Sequence, residues 1–133
     1  MKFADLPTLG QPLAAGIFAG LITTKDGAHC AIVLLADKPS KRLDFNAANA
    51  WAAELGDGAA LPTRPVSALL FANCKSEFEE AWHWTSEAYS DAYAWFQGFY
   101  GGSQDFSYRS YEGWARAVRL IQLDGSNNAN PQS

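Results

Sequence analysis

The hydrophobic period of this chain changes twice, and those two changes restrict its fold more than any other feature. Residues 16–37, "GIFAGLITTKDGAHCAIVLLAD", place β-branched and apolar residues on both sides of "KDG". This predicts a hairpin turning at Asp26-Gly27, because glycine accepts the positive φ that such a turn needs. Residues 43–58, "LDFNAANAWAAELGDG", switch to helical spacing. Ala48, Trp51, Ala52 and Leu55 fall at i, i+3, i+4 and i+7, with Asp44 or Asn46 to cap the start and Gly56 or Gly58 to end it. A second helix is expected after Thr63 as N-cap. Pro65 then sits in its first turn, and Val66, Leu69, Leu70 and Cys74 form a buried stripe. After "KSEFEE" the spacing returns to strands: "AWHWTS", "AYAWFQGFY", "SQDFSYR" beyond Gly101-Gly102, and "WARAVRLIQL" beyond "SYEG". Helices set between two blocks of strands imply the α+β class, with mainly antiparallel pairing around an N-terminal hairpin. With no repeat or linker in view, residues 1–123 read as one domain and 124–133, "DGSNNANPQS", as a polar, flexible tail.

At 133 residues the chain can build a core without staples. Its formal charge of −4 is uneven: residues 1–75 carry seven Lys/Arg against six Asp/Glu, and residues 76–133 three against eight. So few cations in the second half leave no footprint for a phosphate backbone, so no nucleic acid is expected. Cys30 and Cys74 allow one disulfide on count, and nothing in the sequence places them together. Asp5 and two prolines interrupt the N-terminal stretch where a signal peptide would be apolar, and no apolar run approaches the roughly 20 residues of a membrane span. The expectation is a cytoplasmic protein with reduced thiols and no membrane insertion, or one associated with a virion.

"ALPTRPVSALLFANCK" and the aromatic run "WHWTSEAYSDAYAWFQGFYGGSQDFSYRSYEGWARAVR" together carry a family resemblance. The chain resembles the DUF1566 (Lcl C-terminal-like) domains of bacterial and prophage proteins. Their pattern is an amphipathic helix, "LPT" opening a second helix, a Trp-Ser-Ser/Thr segment, an "AW…F…G" strand and a closing "VRAVR". The matching positions are Leu61-Pro62-Thr63, Trp84-Thr85-Ser86, Ala94-Trp95 with Phe99 and Gly102, and Arg116 to Arg119. The resemblance implies a C-type-lectin-like fold, with two helices packed on a small twisted sheet and neighbouring termini. It assigns Trp84, Trp95 and Phe99 to the core, and these make up the expected structural framework with Trp51, Arg116 and Arg119. The two arginines, three apart in the last expected strand, would face opposite sides, one of them bridging to a carboxylate.

That fold hosts sugar binders, protein binders and enzymes, so it transfers no activity by itself. Calcium-dependent sugar binding uses Glu-Pro-Asn or Gln-Pro-Asp with Trp-Asn-Asp to supply oxygen ligands, and neither motif is present. His29, Cys30, Cys74 and His83 lack zinc spacing. Formylglycine-generating enzymes need cysteines near the C-terminus, and none follows Cys74. "GGSQD" is not a nucleophile elbow, and "GDGAALPTR" lacks the lysine of a phosphate loop. No metal, cofactor or catalytic residue is expected.

The tyrosines carry the functional reading. Tyr89, Tyr93, Tyr100, Tyr108 and Tyr111 stand among Ser86, Ser90, Ser103, Ser107 and Ser110 near turns. Such mixtures suit recognition surfaces, since tyrosine offers rigid contact area at little entropic cost. Alternatively they cover sheet edges and pair across strands. With Asp105, these five form the expected binding set, on a mildly acidic surface suited to a neutral or basic partner. The chain is thus expected to be a binding module of phage, prophage or bacterial origin that recognises a protein, from host or virion, or a glycan. A phage-encoded effector that blocks a host defence protein and a virion or tail subunit, self-associating through the same face, are the alternatives.

Overall fold

The apolar run His29–Leu35 forms β3, the strand around which the fold assembles in a computed structural model describing residues 1–125. Every residue from Cys30 to Leu35 is buried. Successive side chains leave a strand on opposite faces, so an unbroken apolar run fits a strand covered on both sides. Ile32 and Leu34 enter one core with Val66, Leu70 and Cys74, while Val33 and Leu35 enter another with Phe45, Ala48 and Ala52. Ala31 closes a third, smaller cluster with Phe18 and Leu123.

The predicted hairpin joins β2 (Gly16–Thr23) to β3, and Gly27 turns it at φ 90°. A short β1 (Pro12–Leu13) pairs with the outer side of β2, and β7 (Val118–Gln122) pairs with β3. These four strands form an antiparallel sheet in the order β1-β2-β3-β7. The first helix, α1 (Phe45–Glu54), begins where the Asp44 carboxylate accepts the Ala47 N–H at 2.8 Å. In α2 (Arg64–Cys74) the Thr63 hydroxyl accepts the Val66 N–H at 3.4 Å, and Val66, Leu70 and Cys74 are buried as the spacing requires. Strands β4 (Trp82–Ala88), β5 (Tyr93–Gly98) and β6 (Gln104–Tyr108) form a separate three-stranded antiparallel sheet.

The fold is therefore α+β with two helices and antiparallel strands, but it has two sheets where the sequence reading has one. The segment 114–117 explains the division. The Trp114 carbonyl accepts the Trp84 N–H, and the Ala117 carbonyl accepts the Leu35 N–H, both at 3.0 Å. The chain crosses from one sheet to the other there, so the expected last strand is shortened to β7.

Arg116 consequently lies outside any strand. Its guanidinium donates to the carbonyls of Glu77 and Leu35, while Arg119 donates to those of Asp57 and Gly56. Backbone carbonyls take the place of the expected carboxylate bridge. Trp84 and Phe99 are buried framework residues: the Trp84 indole donates to the Leu43 carbonyl at 2.9 Å, and Phe99 stacks on Phe78 at 3.9 Å. Trp51 is half-buried against the core that holds Trp84.

Both cysteines are free and buried, and burial is the main cause raising each thiol pKa. The N-terminal ammonium reaches the Asp124 carboxylate at 3.0 Å, and the Asp124 N–H donates to the Met1 carbonyl at 2.7 Å. The rest of the expected tail, residues 126–133, lies outside the described residues. Among the described residues no helix is long and apolar enough to cross a membrane.

Candidate functional site: an aromatic face on β5 and β6

β5 and β6 pair with Tyr93 opposite Tyr108, Trp95 opposite Phe106 and Gln97 opposite Gln104. The period of two places these six side chains on one face. Ala94 leaves by the other face and packs in the core with Phe45 and Trp84. Two turns add rings to the first face. Tyr89 comes from the β4–β5 turn, where the Ser90 hydroxyl accepts the N–H groups of Ala92 and Tyr93. Tyr111 comes from the turn after β6, where its N–H donates to the Tyr108 carbonyl at 3.0 Å.

The rings then touch without a break. Tyr111 lies 5.3 Å from Tyr108, Tyr108 4.8 Å from Tyr93, and Tyr93 5.5 Å from Phe106. Phe106 stacks on Tyr89 at 4.2 Å and 4°, and Trp95 stands edge-on to both, 5.5 Å from Tyr89 and 5.4 Å from Phe106. Edge-to-face and stacked pairs at such separations stabilise one another by about 0.5–1.5 kcal/mol each. The cluster is nonetheless open: Tyr89 is 54% exposed, Tyr111 54%, Tyr108 47% and Phe106 37%. The hydrogen bond that the Tyr93 phenol makes to Tyr108 holds it protonated and pushes its pKa up.

At its other end the face is closed by the first turn of α2. The Arg64 guanidinium carbon lies 3.6 Å from the Trp95 ring centroid, and Nε donates to Gln104 Oε1 at 2.9 Å. Gln104 Nε2 donates to the Arg64 carbonyl at 2.7 Å and to Gln97 Oε1 at 2.8 Å. Buried Gln97 in turn donates to the carbonyls of Gly98 and Gly102, both at 3.0 Å, fixing the β5–β6 turn. The Arg64 N–H donates to Glu87 Oε2 at 2.7 Å. Every polar group in this chain of amides has a partner, which is what burial demands. Beside Arg64 a groove of about 810 Å³ runs between Thr23–Lys25 at the hairpin tip and the first turn of α2.

Of the expected binding residues, Tyr89, Tyr93, Tyr108 and Tyr111 are brought together. Tyr93 and Tyr108 do pair across strands, yet remain accessible, so the two readings of the tyrosines describe one surface. Tyr100 is 76% exposed on the β5–β6 turn and stands outside the ring cluster. Asp105 is opposite Phe96 and points away from the rings, with its carboxylate accepting the Phe106 N–H at 2.8 Å. The charged group that touches the rings is thus Arg64, not an acid. Trp95 is corrected as well: it is half-buried on the aromatic face instead of lying in the core, because it shares the parity of Tyr93 and Gln97, and Arg64 covers it.

Phe106, Gln97, Gln104 and Arg64 escaped the sequence reading. The i, i+2, i+4 spacing of Gln104, Phe106 and Tyr108 could have found the first three once paired with Tyr93 and Trp95. No local signal marks Arg64, 40 residues from its partner Gln104. Among the described residues no three His, Cys, Asp or Glu side chains gather where they could hold a metal ion. No family model and no curated protein matches the chain.

Proposed function

We propose that this chain is a non-enzymatic binding module of C-type-lectin-like fold, related to the DUF1566 domains, that holds a protein partner on the aromatic face of β5 and β6. The fold assignment is supported by the paired β3 and β7, the contact of Met1 with Asp124, and two helices between the blocks of strands. The observation that carries the function is the unbroken series of half-exposed rings from Tyr111 to Tyr89.

Four rings about half exposed present on the order of 400 Å² of apolar surface. That equals the largest patches on soluble monomers, about 300–600 Å², which are often functional. It is also roughly half of one side of a standard protein interface. Serines and glycines beside the tyrosines give the rim adaptable hydrogen bonding, as recognition surfaces require. Binding to a host protein and packing within a virion are two settings for this one face.

The test compares the protein with its Tyr108→Ala variant, using quantitative capture from a bacterial lysate beside a glycan array. A partner captured by the parent and lost with a correctly folded Tyr108→Ala supports the reading. Capture indifferent to Tyr108, or array binding without any protein partner, overturns it.

A further inference from the structure

The groove beside the aromatic face differs from it in chemistry. Its walls carry Lys25 and Arg64 against the single carboxylate of Glu87, in a chain whose net charge is −4. Glu87 is committed: it accepts the backbone N–H that opens α2. Arg64 is held at two points, its guanidinium carbon 3.6 Å from the Trp95 ring centroid and its Nε on Gln104, and among the described residues no protein group takes its two Nη atoms. A guanidinium held through Nε presents its Nη pair end-on, the fork that a planar carboxylate matches.

We infer that this groove takes a carboxylate side chain of the partner bound on the aromatic face, so that the partner presents an acidic anchor beside an apolar surface. The inference rests on the proposed protein-binding role and names the chemistry of the partner. Phosphate fits the groove less well. A phosphate at a helix start draws on the free backbone N–H groups of the first turn. Here Glu87 occupies that of Arg64 and Thr63 that of Val66, and the Glu87 charge repels a dianion. Strand addition along β6 is disfavoured too, because Asp105 already caps the outward N–H of Phe106.

The probe is N-acetyl-tetraglutamate amide, with the tetraglutamine peptide and inorganic phosphate as comparisons, titrated into the full chain. The readouts are the NMR signals of the Arg64 Nε–H and the Trp95 indole N–H. The glutamate peptide is expected to shift both signals saturably, and the other two probes to leave them in place. Because Arg64→Met removes its own signal, the Trp95 signal reads that variant, with about tenfold weaker binding. Lys25→Ala, altered at the exposed hairpin tip, is expected to weaken binding without disturbing the fold. Equal shifts from the glutamine peptide or phosphate, or titrations unchanged by Arg64→Met and Lys25→Ala, would overturn the inference. Tyr108→Ala separates the two proposals, since it should abolish partner capture while leaving the glutamate titration unchanged. Loss of the titration with Tyr108-dependent capture intact removes only the acidic anchor. An intact titration without Tyr108-dependent capture removes only the role of the aromatic face.

Discussion

His83 sits between Phe78 and Phe99, with ring centroids 5.1 and 4.9 Å away, and Nδ1 lies 3.1 Å from the Ala81 carbonyl. Burial disfavours its imidazolium and lowers the pKa from 6.5 to about 4; the Ala81 carbonyl opposes this shift and nearby Arg116 adds to it. The folded value is below the unfolded one, so the neutral ring's contribution is complete above pH 6.5 and is lost as pH falls towards about 4. A shift of this size corresponds to about 3 kcal/mol. Urea midpoints across that range should fall more steeply for the parent than for His83→Gln. Parallel curves would mean that His83 does not titrate as its burial requires. The same residue shows what sequence leaves open. Its place in "WHW" gives the parity of a strand, but only the packing of Phe78 and Phe99 makes that side dry.

Among the elements, β6 is the exposed edge of its sheet. The bonds from Gly98 N–H to the Ser103 carbonyl and from Arg109 N–H to the Ala92 carbonyl set the alternation. Residues 103, 105, 107 and 109 turn their backbone groups towards β5, and 104, 106 and 108 turn theirs outward. Asp105 occupies the middle outward N–H with its carboxylate and places a negative charge at the edge. Natural sheets guard their edges in this way. Asp105→Ala is expected to raise self-association through β6, visible as a concentration-dependent sedimentation coefficient absent from the parent. A strictly monomeric variant would show that the edge needs no guard. Helices α1 and α2 were legible down to their caps, because Asp44, Thr63 and Pro65 act within one turn of chain. The length of β7 was not, because the bonds that divert residues 114–117 come from two different sheets.

Across the whole molecule, Arg116 ties together parts distant in sequence. Its guanidinium spans from Leu35 at the end of β3 to Glu77 beyond α2, and lies 5.2 Å from the ring centroid of Phe78. Its burial lowers the arginine pKa, and Nε has no protein partner among the described residues. Arg116→Met would keep much of the packing but leave two carbonyls without their donors, at a cost of about 3 kcal/mol. Chemical denaturation should register that loss, and a change below about 0.5 kcal/mol, the range of ordinary surface substitutions, would refute the tying role. Sequence alone determined the class of the fold, its elements and their caps, because periodicity and capping act over a few residues. It also grouped the tyrosines by their local spacing beside Ser- and Gly-containing turns, although the fold brings four of them together and leaves Tyr100 apart. The division into two sheets, the outward placement of Trp95 and the arrival of Arg64 beside it were decided by tertiary structure. Each depends on residues tens of positions apart sharing one face, and strand parity says which residues go together but not which side water reaches.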